Sequence, residues 1–194
     1  IIVDDPLGAL ARLGRAGRNR FAGKMVGITG SVGKTGSKDM LAHALTAFGK
    51  THASQRSFNN HIGVPITLAT LADDCDFAVQ EMGMNAAGEI AALTALARPN
   101  IVLITRIANT HGGFFDSLDD IAKAKAEIFQ GLNAGGTAIL NIDDPFYDQL
   151  ANAATKAGAG RIISFGRKDD AEFCLLEARQ HEDGMTVHAE IAGR

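Results

Sequence analysis

The chain has 194 residues, 46% of them hydrophobic, which suffices for one packed domain of ordinary size. Its 19 basic and 22 acidic side chains give a net charge of −3, so nucleic acid and anionic membranes are not favoured as partners. No apolar run approaches the length of about 18 residues that spans a bilayer. The two cysteines, Cys75 and Cys174, lack metal-ligand spacing, and we expect buried thiols in a cytoplasmic protein.

Residues 1–23 precede the regular part of the pattern. Their apolar residues are sparse and four arginines dominate, namely Arg12, Arg15, Arg18 and Arg20. Scattered charges are typical of a solvated surface, so we expect a short surface helix or linker that leads from another domain into a central domain over 24–194. The chain starts without Met and stops just after a hairpin-like segment with Asp183-Gly184 at its turn. We therefore expect a piece of a longer protein.

Five apolar runs alternate with segments of helical period from residue 24 onward. They are KMVGIT (24–29), DFAVQE (76–81), NIVLIT (100–105), TAILN (137–141) and RIISF (161–165). Such alternation predicts an α/β fold with a mostly parallel sheet and helices on both of its faces. The hairpin-like segment near the C-terminus adds a small antiparallel extension.

Two helices are predicted individually. Segment 35–48 ends before Gly49 and has one apolar stripe, formed by Met40, Leu41, Ala44, Leu45 and Phe48. Segment 117–132 opens with the capping-box pattern of Ser117 and Asp120.

A phosphate-binding loop is the strongest motif. It lies between the first apolar strand and a predicted helix, and it consists of Thr29, Gly30, Ser31, Val32, Gly33, Lys34 and Thr35. The two glycines would let backbone N–H groups surround phosphate oxygens, while Lys34 reaches the outer phosphates and Thr35 holds Mg²⁺. The strict motif has Gly where this chain has Ile28. A variant family or a glycine-rich turn without a ligand would each explain the departure.

Glu81 and His111 follow the ends of apolar strands, where a doubly wound sheet collects its functional groups. Glu81 ends DFAVQE, in which a carboxylate is costly unless it projects into a site or meets a cation. A surface position at the strand end is the alternative. His111 lies in the irregular stretch after NIVLIT, where two interpretations stay open: an ordinary loop histidine and a functional one.

Lys125 occupies the centre of an apolar helix face, which is formed by Leu118, Ile121, Ala122, Ile128, Phe129 and Leu132. At about 100° per residue, Lys125 points into the packed face and Lys123 points away from it. Either the stem of Lys125 carries its ammonium out to water, or the amine is paired, shifted in pKa or chemically modified.

Taken in order, the motifs resemble those of the Mur ligases of peptidoglycan synthesis, whose nucleotide loop has the shorter form G-x-x-G-K-[ST]. The resemblance spans nearly the whole chain and is carried by TGSVGKTGSK (29–38), SFNNHIGVPITL (57–68), EMGMN with GEI (81–90), THGGFF (110–115), AKAKAEIF (122–129) and LNIDDP (140–145). Within the family, Ser31, Val32 and Lys38 favour the branch that adds D-alanyl-D-alanine over those that add the earlier residues.

The resemblance implies a role for each residue that matches a family motif. The phosphates of ATP would lie against the loop, with one Mg²⁺ beside them and a second nearby. The residues implied are Gly30, Ser31, Gly33 and Lys34 for the phosphates, Thr35 and Glu81 for the first Mg²⁺, and His111 with a carbamylated Lys125 for the second.

Two residue pairs have a structural alternative. Asn59 and Asn60 match the family's Asn pair beside the reacting groups, but a closed turn would use them too. Asn141 and Asp143 match a segment near the nucleotide, although a helix N-cap at Asp144 would give a similar pattern.

The activity implied is transfer of the ATP γ-phosphoryl group to the terminal carboxylate of UDP-N-acetylmuramoyl-tripeptide, followed by attack of the D-alanyl-D-alanine amine on the acyl phosphate. Phosphoryl transfer needs positioning and charge neutralisation rather than a covalent nucleophile. Two other interpretations stay open. One is another amide ligase of this fold, of the folate polyglutamate or cyanophycin type. The other is a nucleotide-binding module that ligates nothing.

The sequence departs from the family pattern in three respects. Ala86 stands where His is frequent, and Gly112 and Gly113 stand where a larger apolar residue is common. The domain that binds the UDP-sugar, the domain that closes over ATP and the family's Gly-x-His-Asn segment are not in this sequence. We therefore expect the chain alone to be inactive and to work with those missing domains.

Overall fold

The computed structural model describes residues 2–109 and 115–192, over which helices and strands alternate. The helices are α1 (Pro6–Arg20), α2 (Lys34–Leu45), α3 (Gly63–Ala69), α4 (Glu89–Ala97), α5 (Leu118–Ala126) and α6 (Tyr147–Lys156), and a 3₁₀ segment, Glu127–Gly131, directly follows α5. The strands are β1 (Lys24–Thr29), β2 (Thr51–Ala53), β3 (Phe77–Glu81), β4 (Ile101–Ile104), β5 (Thr137–Asn141), β6 (Arg161–Gly166), β7 (Phe173–His181) and β8 (Gly184–Ile191).

The described strands form a sheet in the order β2-β3-β1-β4-β5-β6-β7-β8. Neighbouring strands are parallel except β7 and β8, which form an antiparallel hairpin. The predicted fold, its five strands and its C-terminal extension are confirmed. Strand β2 was not predicted, because a segment this short shows no period. The hairpin turn lies on Glu182 and Asp183, earlier than predicted, because Gly184 already pairs with His181 in the ladder.

Side chains of β1 alternate between two apolar layers. Met25 belongs to the larger core, to which α3, α4, α5 and α6 contribute. Val26 and Ile28 point to the other layer, where Leu41 and Leu45 of α2 pack against them. Helices therefore cover both faces of the sheet, as the alternation in the sequence predicts.

The buried face of α2 differs from the predicted stripe. Met40 and Phe48 are 76% and 80% exposed and Ala44 is exposed too, so the assignment of these three residues to the packed face is wrong. The inward residues are Lys38, Leu41 and Leu45, which are spaced as one helical face. The buried face of α2 therefore includes Lys38, which the apolar pattern had not predicted there.

Lys38 is buried because it finds hydrogen-bond acceptors there. Its Nζ donates to the carbonyls of Ser54 at 2.7 Å and Arg56 at 2.9 Å, and it lies 3.0 Å from Oδ1 of Asp39. These bonds offset the cost of removing the ammonium from water. They also attach the segment that leads from β2 towards Asn59 to helix α2.

The predicted helix near the N-terminus is observed as α1, but its arginines are not all solvated. Arg12, Arg15 and Arg20 are exposed, whereas Arg18 is buried against α4. Its guanidinium donates to the carbonyls of Ala97 and Arg98, the latter at 2.8 Å. The C-terminus of a helix presents unpaired carbonyls and a partial negative charge, which is why a cation is stable there.

Two simpler expectations can be compared with the structure. Cys75 and Cys174 are buried and unpaired, as predicted. None of the described helices is both long enough and apolar enough to cross a membrane.

Replacement of Arg18 by Ala should lower the free energy of unfolding by about 2–4 kcal/mol, because carbonyls at the end of α4 lose charge-assisted hydrogen bonds. Urea unfolding with unchanged m values measures the loss. Arg15, exposed on the same helix, is the matched control, and Arg15→Ala should change the free energy by less than about 0.5 kcal/mol. Equal losses in the two variants would show that Arg18 does not anchor α1.

Candidate active site

The predicted phosphate-binding loop joins β1 to the first residue of α2, in the strand-loop-helix arrangement that the motif requires. Gly33 has a φ of 82°, which a side chain would strain. Gly30 lies against Thr105, since a Cβ on this glycine would be 1.9 Å from the threonine Oγ1. The conformation and the surroundings of the loop therefore explain its two glycines.

Lys34 folds back over this loop. Its Nζ donates to the carbonyl of Gly30 at 2.8 Å and to that of Ser31 at 3.3 Å. Burial lowers the pKa of Lys34, and the charge of Glu81 acts in the opposite direction. A cation is therefore held across the loop, where the outer phosphates of a bound nucleotide would lie.

The segment that follows β4 holds the loop in place. Ser31 donates its N–H to the carbonyl of Arg106 at 2.7 Å, and its Oγ accepts from the N–H of Ala108 at 3.0 Å. Thr105 Oγ1 donates to the carbonyl of Val32 at 2.6 Å. The hydroxyl and N–H of Ser31 are thus engaged within the protein, and its contact with phosphate stays a prediction. Thr105 was missed as a residue that supports the loop, although it is the last residue of the predicted apolar run NIVLIT (100–105).

Glu81 lies at the end of β3 and is buried. The alternative interpretation, a surface position at the strand end, is therefore wrong. Its Oε2 accepts from Thr35 Oγ1 at 2.9 Å. Its Oε1 accepts from Nδ2 of Asn59 at 2.8 Å. The structure therefore brings together three residues that the sequence predicted as functional, from β3, α2 and the loop before α3.

The Thr35 hydroxyl and the Glu81 carboxylate fit a Mg²⁺ ion, because both are hard oxygen ligands beside a phosphate loop. The partners that hold Glu81 by hydrogen bonds are neutral, so its negative charge is available to a cation. Over 2–109 and 115–192 there is no group of three or more His, Cys, Asp or Glu that could hold a metal. Phosphate oxygens and water would have to complete the coordination.

The two adjacent asparagines differ in their contacts. Asn59 reaches Glu81, as described above, whereas Asn60 closes the turn before α3. Its Oδ1 accepts from the N–H groups of Ile62 at 3.1 Å and Gly63 at 2.9 Å. The side-chain oxygen of Asn60 therefore closes a turn, as the structural alternative predicted. Asn60 also lines a cleft beside the phosphate loop.

A cleft of about 180 Å³, here called the lysine cleft, lies beside the loop. Its lining includes Lys34, Asn59, Asn85, Glu89 and Lys125. The predicted inward direction of Lys125 is confirmed, since this residue is 2% exposed. Burial, and secondarily the charge of Lys34, lower the pKa of Lys125 to about 7.

Lys123 occupies the opposite face of the same helix. Its side chain is 64% exposed and pairs with Asp119 one turn earlier. Ser117 precedes the helix, and its Oγ accepts from the N–H of Asp120 at 3.1 Å, so the predicted N-cap is confirmed. Leu118 is exposed at 42%, because it lies in the first turn, outside the packed part of the predicted stripe.

Asn141 and Asp143 contact backbone groups at the ends of β4 and β6. Nδ2 of Asn141 donates to the carbonyl of Thr105 at 3.4 Å. The carboxylate of Asp143 accepts from the N–H groups of Arg167 at 2.7 Å and Lys168 at 3.2 Å. Asn141 therefore lies next to the segment that holds the phosphate loop, and contact of either residue with a nucleotide stays a prediction.

Asp144 has a structural role, but it is not the helix N-cap that the alternative interpretation gave, because the N-cap of α6 is Phe146. It is buried, and its carboxylate accepts from the N–H of Phe146 at 2.9 Å, just before α6. The same carboxylate accepts from the N–H of Ile107 at 2.6 Å. Asp144 thus fixes the segment after β4, which in turn contacts the loop.

His111, with Gly112 and Gly113, lies outside the described residues, so its role as a metal ligand stays a prediction. Sequence reasoning also missed Glu127. Its carboxylate accepts from the N–H groups of Gly88 at 2.6 Å and Ala91 at 3.1 Å, and therefore caps α4 from a different helix. A carboxylate that caps a distant helix leaves no local signal in the sequence.

The arrangement suits the transfer of a phosphoryl group within a pocket. A loop for phosphates, two amines and a buried carboxylate meet at the carboxyl ends of neighbouring parallel strands, where α/β sheets bind ligands. The described lining of the lysine cleft includes neither a serine nor a cysteine that could act as a nucleophile.

Comparisons with known proteins agree with this geometry. A family model for the Mur ligase middle domain matches residues 28–192. The UDP-N-acetylmuramoyl-tripeptide--D-alanyl-D-alanine ligases of Synechocystis and Bacillus subtilis are 40% and 36% identical to the chain over 199 and 193 residues. The alignments cover 99% and 100% of this chain but 42% and 40% of the relatives, so the chain spans about two fifths of their length.

Solved structures of related enzymes have the same fold. MurF from Acinetobacter baumannii superposes with a TM-score of 0.85 at 29% identity, over 97% of this chain and 43% of that one. MurF ligase from Thermotoga maritima, crystallised with ADP, gives 0.83 at 25% identity, over 100% and 44%. A mutant of L. casei FPGS gives 0.72 at 18% identity, over 98% of this chain and 56% of that one, which shows a shared fold alone. The chain belongs to the Mur ligase family, and the part that matches is the family's middle domain.

Proposed function

We propose that this chain is the ATP-binding domain of an amide ligase that adds D-alanyl-D-alanine to UDP-N-acetylmuramoyl-tripeptide. The observation that carries the proposal is that Lys34 and Lys125 line one cleft beside the phosphate loop. The positive charge of Lys34 suits the negative charge that accumulates when a carboxylate is phosphorylated, and Lys125 adds a second amine to the same cleft. The names of the relatives support this choice of substrates.

The reaction has two steps. A carboxylate oxygen of the tripeptide attacks the γ-phosphorus of ATP, and the bond from that phosphorus to ADP breaks. The dipeptide amine then attacks the carbonyl carbon of the acyl phosphate, the bond from carbon to the phosphate oxygen breaks, and phosphate and a proton leave. Lys34 neutralises charge in the first step, and the loop fixes the donor in line with the acceptor.

Thr35 and Glu81 would hold Mg²⁺, whose charge offsets that of the ATP phosphates when the ion is bound. Asn59 keeps Glu81 oriented towards the loop through its hydrogen bond of 2.8 Å. These residues come from different elements, so the ion position depends on the packing of the whole domain rather than on a local motif.

We further propose that Lys125 is carbamylated. An amine with a pKa of about 7 is partly neutral under physiological conditions. Its nitrogen attacks the carbon of CO₂, a nitrogen-carbon bond forms, and one proton is released. The product is an anionic oxygen donor that relieves the repulsion with Lys34 and suits a second Mg²⁺ together with His111.

Two other functions are less well supported. An amide ligase of the folate polyglutamate type shares the fold, but the similarity to FPGS is only 18% in sequence, against 29% to MurF. A module that binds nucleotide without ligation would not require a buried lysine in the same cleft as the loop lysine.

Release of ADP by the full-length protein tests the proposal. ADP should form only when ATP, UDP-N-acetylmuramoyl-tripeptide and D-alanyl-D-alanine are all present, apart from a slow background. Omission of either peptide substrate is the control. Turnover with a folate and glutamate in place of these substrates, or hydrolysis of ATP that neither peptide stimulates, would contradict it.

Replacement of Lys34 by Ala should lower kcat/KM by about 10²-fold or more, because one preorganised charge over the phosphates is lost. Steady-state ADP release measures the change, and urea unfolding checks that the variant is folded. Lys24→Ala, at an exposed position on β1, is the control and should keep normal turnover. Near wild-type activity of folded Lys34→Ala would reject the phosphate-loop assignment.

Replacement of Lys125 by Ala should abolish most activity, and a short carboxylate such as acetate should restore part of it by taking the place of the carbamate. A second readout is the carbamate carbon signal in ¹³C NMR after labelling with bicarbonate, which Lys125→Ala should remove. Lys123→Ala, on the exposed face of the same helix, should keep both the activity and the signal. Full activity of Lys125→Ala, or no carbamate signal in the active wild type, would contradict the proposal.

A further inference from the structure

A second cleft, of about 320 Å³, adjoins the lysine cleft. Its lining includes Asn60, His61, Gly83, Glu89, Ala92 and Leu93, and it shares Asn60, Gly83 and Glu89 with the lysine cleft. Its volume is that of a small-molecule site. The mechanism above uses the lysine cleft for phosphoryl transfer and leaves this neighbouring space without an occupant.

The charges along the two clefts are opposite. At the loop end, the lysine cleft presents the ammonium of Lys34, which stays the cation there when Lys125 is carbamylated. Glu89 is the one carboxylate among the described residues that line either cleft. Its Oε2 accepts from the N–H of Asn85 at 2.7 Å, which fixes the side chain at the boundary between the clefts. An ammonium group is therefore favoured at this end and a carboxylate or phosphate at the other.

Two N–H groups at the start of α4 are already engaged within the protein. The N–H groups of Gly88 and Ala91, which an anion would otherwise use, already donate to the carboxylate of Glu127. Glu89 lies in the first turn of the same helix, where the helix dipole stabilises a negative charge. Both observations favour a cationic ligand in the second cleft.

We propose that Glu89 binds the ammonium group of the incoming amine substrate, with the second cleft receiving the rest of that molecule. The inference rests on the proposed function, which requires an amine to approach an acyl phosphate held at the lysines. Ala92 and Leu93 give the cleft an apolar side that suits small alkyl groups such as those of D-alanyl-D-alanine. Glu89 is thus a binding residue for the second substrate and not for ATP.

The test uses Glu89→Gln in the full-length protein, because glutamine keeps the volume and an oxygen that can accept from Asn85. The KM for D-alanyl-D-alanine should rise about tenfold or more, since a charge-assisted hydrogen bond is replaced by a neutral one. The KM for ATP should stay unchanged. Asp148→Asn is the matched control, because Asp148 is an exposed carboxylate in the first turn of α6 that lines neither cleft.

Three results would overturn the inference. One is an unchanged KM for the dipeptide in Glu89→Gln. Another is an equal rise in the KM for ATP, which would indicate a general loss of structure. The third is a rise in the KM for UDP-N-acetylmuramoyl-tripeptide alone, which would place an amine of that substrate at Glu89. If wild type releases no ADP in response to both peptides, the proposed function fails first, and this failure is distinct because it appears before any substitution.

Discussion

A single buried carboxylate sets the geometry on which the site depends. Glu81, at the end of β3, accepts one hydrogen bond from Thr35 at the start of α2 and another from Asn59 in the loop before α3. An unpaired carboxylate in the interior would be costly, so these bonds tie three elements together. The phosphate loop, the cleft and the proposed ion position are consequently connected through Glu81.

Three buried or half-buried lysines, Lys34, Lys38 and Lys125, have different roles in this domain. Lys38 is held by backbone carbonyls and attaches the segment that leads to Asn59. Lys34 is also held by carbonyls, but these belong to the loop that would receive phosphate. Burial, and secondarily the charge of Lys34, lower the pKa of Lys125, which makes it the amine best suited to the proposed modification. The role of each lysine is therefore set by the groups that surround its amine and not by burial alone.

The sequence predicted the sheet, the loop and the inward direction of Lys125, because each depends on a local period or on spacing along one element. It placed Met40 wrongly, since the orientation of α2 depends on carbonyls that Lys38 meets across the fold. The contacts of Thr105 and Glu127 were missed for a related reason. Both join residues that are distant in the chain, and periodicity within an element carries no signal of such pairs.

In the proposed reaction, a carboxylate is activated as an acyl phosphate beside Lys34. Transfer of ¹⁸O tests this most directly, with the tripeptide labelled in its terminal carboxylate and the full-length protein turning over with ATP and D-alanyl-D-alanine. The account predicts that the phosphate released carries one oxygen from that carboxylate, because the carbon-oxygen bond breaks when the amine attacks. Phosphate without label, formed while the peptide product accumulates, would contradict it.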